Sequence, residues 1–233
     1  MIGSLINCAA ILAGSGLGLL LRGGISPRFR DTLMQGLALC VMLIGILGAI
    51  RTQDVMIPIL CMVAGGLAGE AVDIEKRLQS LGDAAQRLFS RKGEAGGFSQ
   101  GFVTASLVYC VGAMAIVGAM DSGLRGDHTT LIAKSALDGI SAIIFASTMG
   151  PGVALSALAV LAYQGAIALG AQWVSGLLTE AIIREMSAVG GLLIAGIGMN
   201  MLGFVKLRIG NLLPAIFLPT VCIPLMRWIE QLF

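Results

Sequence analysis

The sequence predicts an all-α fold, a polytopic bundle of transmembrane helices with about eight spans. Three observations predict it. Residues of the AVILMFWYC set make up 57% of the 233-residue chain and charged residues only 12%, where a soluble domain carries about 25% charge. Apolar stretches of about 20 residues, the length a helix needs to cross a hydrocarbon core of ~30 Å, recur along the chain. Glycine contributes 33 residues, twice its usual share of roughly 7%, with no collagen period. Small residues let helix backbones approach closely in lipid, where no hydrophobic effect drives association.

The stretches run near 2–21, 32–50, 55–70, 101–120, 131–148, 152–173, 186–204 and 211–229. The first lacks a basic flank and exceeds the 7–15 apolar residues of a signal peptide, so it reads as a retained span. Residues 55–70 are short for a crossing, and without them the count is seven. Spans five and six are separated only by Thr148-Met149-Gly150-Pro151-Gly152, a cluster of turn formers that reads as a tight hairpin or a re-entrant pair. Gly14-x3-Gly18 in span one, Gly65-x3-Gly69 in span three and Gly190, Gly191, Gly196 and Gly198 in span seven suit close crossings. Pro214, Pro219 and Pro224 predict an irregular eighth helix.

Between spans three and four lies one polar segment, about 71–100. Ile74, Leu78, Leu81, Ala85 and Leu88 form one apolar stripe of a helix, while Asp73 with Arg77 and Asp83 with Arg87 pair on the other face. This helix, 72–89, is expected on the membrane surface or against the protein's own loops, with a short coiled-coil contact between subunits as the alternative, and is followed by a flexible linker. The whole chain, 1–233, reads as a single transmembrane domain.

Orientation follows from Lys and Arg alone. One side collects ten: Arg22, Arg28, Arg30, Lys76, Arg77, Arg87, Arg91, Lys92, Lys206 and Arg208. The other holds four, Arg51, Arg125, Arg184 and Arg227. The amphipathic segment is therefore expected in the cytoplasm and both termini outside it. Laying 30–51 over 185–206 aligns Gly36 with Gly191, Leu37 with Leu192, Leu47 with Leu202, Gly48 with Gly203 and Arg51 with Lys206. That pairs span two with span seven in inverted orientation, the usual build of secondary transporters. Glycine-rich helices also match by composition, so the repeat stays an open alternative.

The smaller counts exclude several functions. A net charge of +2 with no basic run disfavours nucleic-acid binding. Cys8, Cys40, Cys61, Cys110 and Cys222 lie in apolar stretches and form no C-x-x-C, so no metal site or disulfide framework is expected. His128 is the only histidine, and no cofactor is expected.

An ionisable side chain near the bilayer centre costs at least about 2.5–3.5 kcal/mol and is a functional candidate by default. Lys134 and Asp138 stand one turn apart in span five, with Ser141 and Phe145 continuing the stripe. Two readings stay open. Lys134 neutralises Asp138 in a structural pair, or Asp138 binds a cation or proton with Lys134 as an anion contact or competing charge. Asn7, Gln164, Asn200 and Asn211 complete the candidate binding site, although amides also glue helices together.

The sequence resembles the bacterial YqgA/YdfK family of integral membrane proteins of unknown function. The resemblance is carried by Ile6-Asn7-Cys8-Ala9-Ala10-Ile11-Leu12-Ala13-Gly14, Gly126-Asp127, Lys134-Ser135-Ala136-Leu137-Asp138, Ser187-Ala188-Val189-Gly190-Gly191-Leu192-Leu193 and Asn211-Leu212-Leu213-Pro214-Ala215. It implies a multi-pass protein of the bacterial cytoplasmic (inner) membrane, a family label of possible transporter, and no established substrate.

The expected function is a small transporter or channel moving an ion or small solute through a site around Asp138, in a homo-oligomer surrounded by lipid. The alternative is a non-transporting scaffold or sensor acting through the helix 72–89. An enzyme is disfavoured. An aspartyl protease needs two facing carboxylates and only Asp138 lies well inside a predicted span, and a serine protease needs a base beside its nucleophile.

Overall fold

The computed structural model describes residues 1–23, 27–77, 80, 98–110, 113–174, 176 and 178–230. Among these, all regular structure is helical. In chain order the helices are α1 (Ile2–Arg22), α2 (Pro27–Ala49), α3 (Met56–Val72), α4 (Phe98–Cys110), α5 (Ala113–Leu124), α6 (Thr129–Met149), α7 (Gly152–Leu169), α8 (Ala171–Val174), α9 (Glu180–Met201), α10 (Ile209–Leu212) and, after a 3-10 turn Leu213–Phe217, α11 (Pro219–Glu230).

Five of them, α1, α2, α6, α7 and α9, are long and apolar enough to cross a membrane. The number rises to seven if α4 with α5, bent by 62°, and α10 with its 3-10 turn and α11, bent by 42°, are each one crossing. The structure thus gives five to seven such spans where the sequence predicts eight. α3 has 17 residues, about 25 Å at 1.5 Å per residue, which falls short of a ~30 Å core.

Local chemistry sets the boundaries. Asp127 Oδ1 accepts from Thr129 N at 2.9 Å and opens α6; these contacts with Thr129 hold the Asp127 carboxyl below its usual range. Gly150 ends α6 at φ 91°, a conformation glycine adopts freely, and Pro151 starts α7. The Thr179 hydroxyl accepts from Ile182 N at 3.4 Å with Glu180 in the first turn. α9 therefore starts at 180, six residues before the predicted 186. Asp73 closes α3 at φ 52°. The predicted helix 72–89 lies mostly outside the described residues; inside them are 72–77, with Arg77 N donating to Asp73 O at 3.3 Å, and Ser80, whose hydroxyl donates to Lys76 O at 2.8 Å.

Glycine decides the packing. α1 lies along α6, and a Cβ on Gly14 or Gly18 would come within 2.1 Å of Gly139 O or 2.3 Å of Ile143 O. α2 lies along α9, where a Cβ on Gly45 would sit 2.2 Å from Ala195 N. α3 packs on α10 and the 3-10 turn through Gly65 against Ala215 and Gly69 against Asn211. The glycine pairs that the sequence overlay equates serve different purposes. Gly36 meets no atom within 4 Å while Gly191 sits in the α2 crossing, and Gly48 packs on Gly191 while Gly203 turns a loop at φ 75°.

Two helix groups result, α1 with α4 to α7, and α2 and α3 with α9 to α11. Their polarity is inverted relative to a soluble protein. Leu20, Leu43, Leu47, Leu67 and Leu137 point outward, while Ser4, Asn7, Ser15 and Gln164 are fully buried. An apolar exterior over buried polar groups is the arrangement that lipid as solvent produces.

Candidate functional site

The α1–α6 crossing and the packing of α7 on α1 bring four of the predicted site residues together. Lys134 Nζ donates to Asp138 Oδ1 at 2.9 Å, one turn along α6. Asn7 Nδ2, from α1, donates to Asp138 Oδ2 at 3.0 Å and to Gln164 Oε1, on α7, at 3.3 Å. All four side chains are buried, Lys134 and Asp138 at 7% and 5% exposure. The cation folds down onto its partner rather than reaching for a surface. Removing both charges from water costs several kcal/mol per ion, offset only if pairing and further hydrogen bonds are good; here the Asn7 amide supplies the second donor to the carboxylate.

Donor and acceptor counting fixes the direction of this chain. An ionised Asp138 only accepts, so Asn7 turns its amide nitrogen toward it and shares that nitrogen with Gln164. Among the described residues, Asn7 Oδ1 and Gln164 Nε2 are left buried with no hydrogen-bond partner. One free acceptor and one free donor thus end the relay beside a charge pair that is neutral as a whole. Tyr109 of α4 packs on Phe145 of α6 in a tilted pair, ring centroids 5.8 Å apart and planes at 54°.

The other three predicted residues do not join this side-chain network. Ser141 donates to the carbonyl oxygens of Leu137 and Asp138 at 2.9 and 3.0 Å, so its hydroxyl closes on its own helix. Asn200 clamps the backbone of Leu207 through both amide groups, each at 2.8 Å, and shapes the loop after α9. Asn211 donates to Glu70 Oε2 at 2.6 Å and accepts from Glu75 N at 2.7 Å. With Arg208 on Glu70 and Gly210 N on Glu75, both at 2.6 Å, it ties the end of α3 to α10.

A second buried carboxylate escapes the sequence reading. Glu185 of α9 is 1% exposed. It accepts from the Thr52 hydroxyl at 2.5 Å and from Gln53 N at 3.0 Å, both in the turn between α2 and α3. The capping signal at Thr179 could have found it, because a helix starting there carries residue 185 well inside. Among the described residues, no three His, Cys, Asp or Glu side chains converge on a common metal position.

A buried ion pair braced by an amide among three apolar helices, with leucines exposed on the outside, defines a polytopic α-helical membrane protein with a polar centre. The chain belongs to the family described as "Protein of unknown function (DUF554)", which matches residues 2–224. It is similar to "Uncharacterized membrane protein YdfK" of Bacillus subtilis, 37% identical over 228 residues covering 96% of each chain. It is also similar to "Uncharacterized protein YqgA" of Escherichia coli, 35% identical over 221 residues covering 94% of each. No solved structure matches it. The protein is thus a bacterial multi-pass membrane protein of this family.

Proposed function

We propose that the protein is a small transporter or channel whose ion or solute passes the Asn7, Lys134, Asp138 and Gln164 cluster. The observation that carries this reading is the pair of orphaned buried groups, Asn7 Oδ1 and Gln164 Nε2, beside the ion pair. A purely structural amide network between helices satisfies its own donors and acceptors. This one ends in a free donor and a free acceptor, the complement of a small hydrogen-bonding occupant. Lys134 acts as the resident cation that a transported cation displaces from Asp138.

The reading extends to the whole assembly. The chain is one transmembrane domain with eight crossings, α3 crossing a locally thinned bilayer and each bent pair crossing once. It sits in the cytoplasmic membrane, with the loops rich in Lys and Arg inside, as an oligomer of identical subunits. It performs no covalent chemistry, since the Asp138 carboxylate faces an amine and an amide rather than a second carboxylate.

Proteoliposomes holding the purified full chain test it directly. Gradients of H⁺, Na⁺, K⁺ or Cl⁻ are imposed and flux is read with ion-sensitive dyes. Wild type is expected to dissipate at least one gradient, and Asp138→Asn and Lys134→Ala to abolish that flux. Unchanged flux in both variants rejects the site.

A further inference from the structure

We infer that the ion moved at the Asp138 site is the proton, passed by two amides that turn over and led along α1 by buried hydroxyls. This rests on the transport reading and names what is transported. With Asp138 ionised, the Asn7 nitrogen sits between two acceptors, 3.0 Å from Asp138 Oδ2 and 3.3 Å from Gln164 Oε1. A half-turn of each amide about its last side-chain bond exchanges nitrogen for oxygen at nearly the same positions and reverses both bonds. Asp138 Oδ2 must then carry a hydrogen, which it donates to Asn7 Oδ1, and Gln164 Nε2 donates to that same oxygen. The relay thus holds together with Asp138 ionised and again with Asp138 protonated. Its orphaned groups keep their number and change their kind. An acceptor on Asn7 and a donor on Gln164 become a donor and an acceptor. Water, which both donates and accepts, suits either arrangement, whereas a metal cation binds only the oxygens.

The groups around Asp138 point the same way. Both side chains that face its carboxylate, Lys134 and Asn7, present donors. A hard metal cation gathers several oxygens, and the hydroxyls of Ser135 and Ser141 on α6 are turned onto carbonyl oxygens of their own helix. A proton needs one lone pair. Tyr109 and Cys110 of α4 also lie within electrostatic reach of Asp138, and neither is a cation, so Lys134 is the charge that answers it. A proton arriving on Oδ2 neutralises Asp138 and leaves the Lys134 ammonium buried without its counter-charge, a costly state. That state drives the proton off again and the ion pair re-forms. Hydroxyls extend the route beyond the relay. Ser135, Ser147, Ser156 and Ser187 each donate to a carbonyl of their own helix, the usual habit of a helical serine. Ser4 and Ser15 of α1 are fully buried and have no hydrogen-bond partner among the described residues. They flank Asn7 on the buried face of α1 over roughly 16 Å at 1.5 Å per residue, about half of the hydrocarbon core.

Proteoliposomes of the purified full chain test this, with a trapped pH-sensitive dye reading proton flux and with Na⁺, K⁺ and Cl⁻ gradients imposed separately. Wild type is expected to dissipate the pH gradient and to leave the other three standing. Gln164→Met keeps the bulk of the side chain and removes the donor that the turned Asn7 needs, and Ser15→Ala removes one hydroxyl of the route. Each is expected to slow proton flux at least tenfold, and Ser15→Thr, which keeps the hydroxyl, to restore it. Serine to alanine is too small a change to unfold the bundle, so this arm stands even if Gln164→Met does not fold. Wild-type proton flux in Ser15→Ala or in folded Gln164→Met overturns the inference. A pH gradient that persists while a Na⁺, K⁺ or Cl⁻ gradient is lost overturns it too and leaves the transport reading standing. If no gradient is lost, both fail.

Discussion

Asn7 and Asp138, 131 positions apart in the chain, are joined by a 3.0 Å hydrogen bond from the Asn7 amide nitrogen to Oδ2. The same nitrogen reaches Gln164, so one amide of α1 serves acceptors on two other helices. Asn7→Leu deprives both at once. A buried acceptor left without its donor costs about 1–3 kcal/mol, and the variant should lose roughly that much stability in detergent thermal unfolding. Asn7→Asp should lose more, because it brings a second carboxylate to Asp138.

The ion pair makes a different prediction. Lys134→Leu and Asp138→Leu each leave one buried charge alone, for which about 3–5 kcal/mol is typical. The double variant removes both charges and fills the space with apolar atoms. It should be more stable than either single variant, as thermal or denaturant unfolding will show. A double variant as unstable as the sum of the singles would mean that the two residues do not act as a pair.

Glycine substitutions separate crossings from mere composition. Gly14 and Gly16 are two residues apart on α1, yet a Cβ on Gly14 would strike Gly139 O and one on Gly16 meets nothing within 4 Å. Gly14→Ala should force α1 off α6 and disturb the Asn7–Asp138 contact, lowering the melting temperature by several degrees. Gly16→Ala should be neutral or slightly stabilising, since alanine is the better helix former by about 1 kcal/mol.

The long apolar spans and the Lys134–Asp138 turn were legible in the sequence because each depends on residues near in the chain. Hydropathy finds α1 and α6, and helical spacing puts Lys134 beside Asp138. Partners from other helices were legible only as residue types. Asn7 and Gln164 stand out in the sequence as intramembrane amides and meet at Asp138; Asn200 and Asn211 carry the same signal and bind loop backbone and Glu70 instead. Nothing local distinguishes these cases, since the difference lies in which helices cross. Glu185 was missed for another reason. An apolar window places the start of the helix at 186, whereas the Thr179 cap starts it at 180 and draws the carboxylate into the core.

Asn211 offers a test between a ligand role and a structural one. Its Nδ2 donates to Glu70 Oε2 at 2.6 Å, so Asn211→Asp sets two carboxylates against each other, while Asn211→Ala only removes the bonds. The structural role predicts that Asp is the more destabilising, with Ala costing about 1 kcal/mol in thermal unfolding. A cation bound between Asn211 and Glu70 predicts the reverse order whenever that cation is present.

Sidedness can be tested without settling the span count. Between Arg125 and Lys206 lie α6, α7 and α9, all three long enough to cross. An odd number of crossings puts the two positions on opposite faces, whatever α3 and the bent pairs do. The Arg125 side chain is 77% exposed and Lys206 is exposed as well. In a background with the five native cysteines replaced, Arg125→Cys and Lys206→Cys should therefore never label from the same face. The proposed orientation, with the loops rich in Lys and Arg inside, names which face is which. A membrane-impermeant maleimide should label Arg125→Cys from outside intact cells and Lys206→Cys only after lysis. The opposite pattern would invert the orientation while keeping the fold, and labelling of both from one face would mean that one of the three helices does not cross.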